Sequence, residues 1–96
     1  MSHDLTWEKS SSALLLSGTL GRDSLLVFWE KRKSLLAEVE QIDVSGLEHV
    51  DSTGLAMLVR LKGELATEKR SLKIVGMSDN LTTLMELYGV KSLLLS

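Results

Sequence analysis

Ninety-six residues leave room for one hydrophobic core, so a single domain over residues 1–96 is expected. A chain that is 44% apolar and 25% charged has the makeup of a folded globular protein, which excludes a disordered tail. A net charge of −2 excludes a general attraction to nucleic acid or anionic lipid, and the lack of cysteine excludes a disulfide framework, a thiolate metal site and a cysteine nucleophile.

The opening Met1-Ser2-His3-Asp4 has no basic stretch leading into an apolar one, and no apolar run is long enough to cross a bilayer. The expectation is a cytoplasmic chain that meets a membrane only through a partner. Leu5-Thr6-Trp7 alternates and, after the turn Ser10-Ser11-Ser12, the apolar run Ala13 to Leu16 predicts the return strand of an antiparallel hairpin. Ser17-Gly18-Thr19-Leu20-Gly21 interrupts that pattern. Asp23 or Ser24 can then cap a helix with Leu25, Phe28, Trp29, Leu35, Leu36 and Val39 on its apolar stripe, and Glu30, Lys31, Lys33, Glu38 and Glu40 opposite.

Gln41-Ile42-Asp43-Val44 predicts a short central strand that Ser45-Gly46 turns into a loop, anchored by Leu47 and Val50. A second helix is expected from Ser52 to about Lys69, with Leu55, Leu58, Val59, Leu61, Leu65 and Ala66 inward and Lys62, Glu64, Glu68, Lys69 and Arg70 toward water. Leu72 to Val75 reads as a strand ended by Gly76. Ser78 or Asp79 starts a third helix, on which Leu81, Leu84, Met85 and Tyr88 share a face before Gly89 stops it. Leu93-Leu94-Leu95 is expected to form a short strand or a docking tail. The order predicts an α/β domain: a mixed, mainly parallel sheet with an N-terminal antiparallel hairpin and helices packed largely on one face.

Candidates for chemistry are few. His3 and His49 stand apart, no histidine and cysteine cluster suggests a metal, and neither a P-loop nor a dinucleotide glycine pattern occurs, so no cofactor is expected. Ser52, His49 and Asp51 lie too close in sequence to supply the three opposed positions of a hydrolytic triad. Arg22, Lys31 or Arg60 beside an apolar pocket could hold a lipid or nucleotide head, although a solvated helix face accounts for the same residues.

What remains is Val50-Asp51-Ser52-Thr53-Gly54-Leu55, where a strand-like run meets the most amphipathic helix. An ordinary cap through Asp51 or Ser52 would explain these residues. A functional reading places the hydroxyls of Ser52 and Thr53 in the open over amides of partial positive charge, with Gly54 allowing close approach of a partner backbone.

The strand Ile42 to Ser45 followed by Val50-Asp51-Ser52-Thr53-Gly54-Leu55 resembles the signature of STAS domains, and the element order matches theirs along the whole chain. Within that family, Trp7, the Leu16 to Leu20 run, Leu25-Leu26 with Trp29-Glu30, and Leu84 to Tyr88 are similar to the MlaB group, whose members serve Mla phospholipid-transport ABC complexes. The resemblance implies a non-enzymatic cytoplasmic subunit, peripheral to the inner membrane. It would bind an ATPase subunit of the MlaF type and support assembly and activity of a transporter that maintains outer-membrane lipid asymmetry. The group's functional threonine falls on Ser52, and Thr53 stands where a glycine is common. That spelling is closer to the anti-sigma-factor antagonists, for which the resemblance implies phosphorylation at Ser52 by an anti-sigma-factor kinase as the alternative. Asp51, Ser52, Thr53, Gly54 and Leu55 are the expected partner-binding or regulatory residues.

Overall fold

The computed structural model describes residues 4–95. His3 lies outside the described residues. The strands β1 (Leu5–Ser10) and β2 (Ala13–Leu20) form the expected hairpin, closed by the two-residue turn Ser11-Ser12. Helix α1 (Leu25–Leu35), strand β3 (Gln41–Val50), helix α2 (Ser52–Thr67), strand β4 (Lys73–Val75), helix α3 (Asp79–Leu87) and helix α4 (Lys91–Leu95) follow. The sheet runs β1-β2-β3-β4, antiparallel between β1 and β2 and parallel thereafter.

Register explains why one face is buried. Leu14, Ile42 and Ile74 lie side by side across β2, β3 and β4, and all three are buried. The neighbouring row Leu15, Asp43 and Val75 points the other way and is half-exposed. The helices cover the first face: Phe28 of α1, Leu55, Leu58, Leu61 and Leu65 of α2, Leu81 and Met85 of α3, and Leu94 of α4 share one core with those strand residues. Trp7 joins it edge-on to Phe28, ring centroids 5.5 Å apart.

Several expectations are corrected. Ser45-Gly46 does not end β3, which continues to Val50 because β2 pairs with it as far as Leu20 opposite Val50. Ser17 to Leu20 is likewise strand, with register shifts that absorb the irregular residues. Helix α1 stops at Leu35, so Leu36 and Val39 are buried from the following turn, and Glu38, at φ 64°, and Glu40 lie beyond the helix. Tyr88 is exposed rather than part of the α3 stripe.

Leu93-Leu94-Leu95 is neither strand nor free tail. It lies in α4, with Leu94 buried and its carbonyl accepting a 2.9 Å hydrogen bond from Lys62 Nζ. Three residues expected to face water are therefore tied in: Lys62 to α4, Glu64 to Arg32, and Arg70, whose Nη2 donates to the carbonyls of Leu36 and Val39 at 2.7 and 3.1 Å.

Candidate functional site

The corner is built by one carboxylate. Asp51 is the N-cap of α2, extended at φ −95° and ψ 179°, and its Oδ1 accepts from the Gly54 amide at 2.9 Å. Its Oδ2 accepts from the Arg22 amide at 3.1 Å, which ties the β2–α1 loop to the start of α2. The backbone closes the same joint, with Asp51 N–H donating to the Leu20 carbonyl at 3.2 Å. Two glycines make the approach possible: a Cβ on Gly21 would meet the Asp51 carboxylate at 2.7 Å, and one on Gly54 would run into the Leu20 carbonyl.

Burial pushes the Asp51 carboxyl toward its neutral form, but the hydrogen bonds from Gly54, Arg22 and Thr53 amides and the Arg22 charge outweigh it, so its pKa falls below the ordinary value. A carboxyl held tighter when folded contributes stability above the unfolded pKa of about 3.9, and loses it as pH falls through the lower folded value. Asp51→Asn keeps the shape and removes the charge. It is expected to cost about 1 kcal/mol at pH 7, a figure reduced by solvent screening because the residue is exposed, with the gap to wild type closing at an acid pH where the folded carboxyl is protonated. Urea midpoints at the two pH values check this; a gap independent of pH would mean that the charge has no part.

Of the five residues expected to form the site, Asp51, Ser52 and Thr53 are exposed, whereas Gly54 and Leu55 are buried. The space that Gly54 provides is filled by Leu20 of the same chain, not left open for a partner backbone. Leu55 and Met57, at 2% and 4% exposure, belong to the core. Ser52 and Thr53 occupy the first two positions of α2 with their side chains outward.

Beside Thr53 a shallow groove of about 230 Å³ opens between α1 and α2, lined by Leu25, Trp29, Thr53, Ala56, Met57 and Arg60. The sequence stripe placed Trp29 in the core; it is half-buried and walls this groove instead. Arg32 stacks on its ring at 3.8 Å and is fixed by Glu64, to which its Nε donates at 3.0 and 3.1 Å. Arg60 approaches the same ring at 5.8 Å and has no carboxylate partner among the described residues. The groove thus joins an apolar floor, the Thr53 hydroxyl at one end and an unmatched cation at the other. The groove at Thr53 is framed by the first and second helices.

Among the described residues no three His, Cys, Asp or Glu converge as a metal site would require, and no helix is long and apolar enough to cross a membrane. His49 is exposed on β3.

A sheet of this order, with a hairpin at its edge and an aspartate-capped helix leaving its central strand beside an exposed serine, defines a domain of the STAS type. The chain belongs to the family described as "Mlab, STAS domain", whose model matches residues 3–96. It is 34% identical over 90 residues to the intermembrane phospholipid transport system binding protein MlaB of Escherichia coli (strain K12), covering 94% of this chain and 93% of that one. The MlaB proteins of Shigella flexneri and Haemophilus influenzae are 34% and 29% identical over 94% and 91% of this chain, and 93% and 89% of their own.

Proposed function

We propose that the chain is a non-catalytic subunit of an intermembrane phospholipid-transport system, and that it binds the ATPase of that ABC complex through the corner at Ser52 and Thr53 and the groove between α1 and α2. The observation that carries the reading is the groove itself: an open apolar floor that reaches the exposed Thr53 hydroxyl in the first turn of a helix, one residue from the exposed Ser52. The similarity to MlaB proteins along nearly the full length supports the choice of system. Trp29 and Arg60 are residue types that anchor protein contacts. The lone charge of Arg60 favours a partner surface with apolar side chains toward the floor and a carboxylate at the rim. On this reading the subunit works from the cytoplasmic side, peripheral to the inner membrane, and supports assembly and activity of the complex.

Co-expression with the ATPase and permease, followed by purification on a tag carried by this chain in mild detergent, tests the reading. The ATPase is expected to follow in stoichiometric amount, and its absence would overturn the proposal. The exposed Ser52 hydroxyl also favours a second reading, an antagonist switched by phosphorylation. Intact-mass spectrometry after incubation with ATP and an anti-sigma-factor kinase would then show an added phosphoryl group on Ser52; an unchanged mass rejects it.

A further inference from the structure

We propose that the open edge of β3 over residues 46–50 receives an extended basic segment of a partner chain, which adds a fifth strand to the sheet. Strand β3 is paired with β2 up to Val50, but β4 pairs with it only at Gln41, Ile42 and Asp43. The five residues 46–50, about 17 Å of strand at about 3.3 Å each, therefore have no strand on the side away from β2 among the described residues, and lie beyond the Ser45 N–H that Asp43 Oδ1 already accepts. Bulges in the pairing with β2 bend this half of β3, and β4 does not follow it: the chain turns at Gly76, φ 77°, into α3, capped by Ser78.

A groove of about 390 Å³ results, with Val44, Leu47 and Val50 on the strand side and Leu81 and Leu84 of α3 as the far wall. This is the size of a specific binding pocket. Ser45 is closed off, since its N–H donates to Asp43 Oδ1 at 2.9 Å and Gly76 packs against it, but beyond it Gly46, Glu48 and His49 are exposed. Of the devices that guard strand edges, this stretch carries bulges, but residues 46–50 contain neither lysine nor proline.

The occupant follows from this chemistry. A helix satisfies its own backbone and cannot use a strand edge, whereas an extended segment pairs its amides and carbonyls there and sends alternate side chains into the groove. Those side chains meet an apolar wall, so they are apolar. Glu48 is the one formally charged residue lining the groove, and Asp79 lies in sequence between the lining residues Ser78 and Asn80, so the remaining side chains include lysine or arginine.

Panning a phage library of random nine-residue peptides on the full-length chain, then titrating the selected synthetic peptide into the ¹⁵N-labelled protein, tests the proposal. Enriched sequences are expected to alternate apolar residues with lysine or arginine, and to shift amides of 46–50 and of the first turns of α3. Methylating alternate peptide nitrogens should weaken binding about tenfold or more by removing ladder hydrogen bonds. Glu48→Lys, at an exposed position that leaves the core intact, should weaken it about threefold, while the ATPase still co-purifies through the separate α1–α2 groove. No enrichment, shifts centred on Trp29, or affinity indifferent to N-methylation would overturn the proposal. Shifts at 46–50 that depend on protein concentration without peptide would do so too, since the occupant would then be a second copy of this chain.

Discussion

Gly54→Ala is expected to lower stability by about 2–3 kcal/mol, whereas Gly63→Ala, nine residues further along the same helix, is expected to raise it by about 0.5–1 kcal/mol. The chemical change is identical, so the opposite signs isolate packing from propensity. Both glycines lie in α2, where alanine is the better helix former. At Gly63 a new Cβ meets nothing within 4 Å. At Gly54 it would be driven into the Leu20 carbonyl oxygen, with the carbonyl carbon and Leu20 Cγ both at 2.9 Å. Because two of those atoms are backbone at the end of β2, relief requires the start of α2 to move off the sheet. That movement would stretch the 3.2 Å bond from Asp51 N–H to Leu20 and the Asp51 carboxylate's hold on the Arg22 amide. Urea unfolding midpoints of the two variants decide the matter. A neutral Gly54→Ala would show that the corner is compliant, and that the positions of Ser52 and Thr53 are not fixed by this contact.

Gly54 also marks how far the sequence could be read. The strand-to-helix corner, its aspartate cap and the helix after it are local features, and local spacing shows them: Asp51 precedes the apolar stripe by four residues and bonds the amide three residues on. Which partner fills the space at Gly54 is a tertiary fact. The answer, Leu20, lies 34 positions earlier, so a reading limited to neighbours assigned the space to another protein. The length of β3 was hidden for the same reason. Ser45-Gly46 is a turn signal in isolation, and only pairing with the bulged end of β2 holds it in a strand. The leucines at 93–95 have no polar residue to set a period, so a strand and one turn of helix read alike; the half-buried Lys62, donating to the Leu94 carbonyl, shows which formed. Trp29 was legible as helical and apolar. Its place beside Thr53 and Arg60 depends on how α1 crosses α2, which neither helix encodes alone.

That crossing makes the groove open to a direct test. Ala56→Glu is expected to abolish recovery of the ATPase, a loss of about 2 kcal/mol or more at the centre of the interface, or about thirtyfold in affinity. Ala56 is exposed on α2 and lines the groove between Trp29 and Thr53. Glutamate there suits the helix, but it fills the apolar floor and sets a negative charge where an acidic rim on the partner would sit. It would also neutralise Arg60, four residues on along the helix, and so cancel the attraction that the groove offers. Ala66→Glu is the matched control: the same exchange on the same helix, exposed and outside the groove, which should leave recovery unchanged. Thermal unfolding of both variants separates lost docking from lost folding, since each should melt close to wild type. Ser52→Asp then distinguishes the two readings of the corner. A subunit held chiefly by the groove should tolerate the added charge with modest loss, because the amides at a helix N-terminus favour an anion. A phosphoswitch should lose its anti-sigma-factor partner entirely, while Ala56→Glu leaves that partner bound. If Ala56→Glu recovers as much ATPase as Ala66→Glu, the groove is not the docking surface, whatever the hydroxyls contribute.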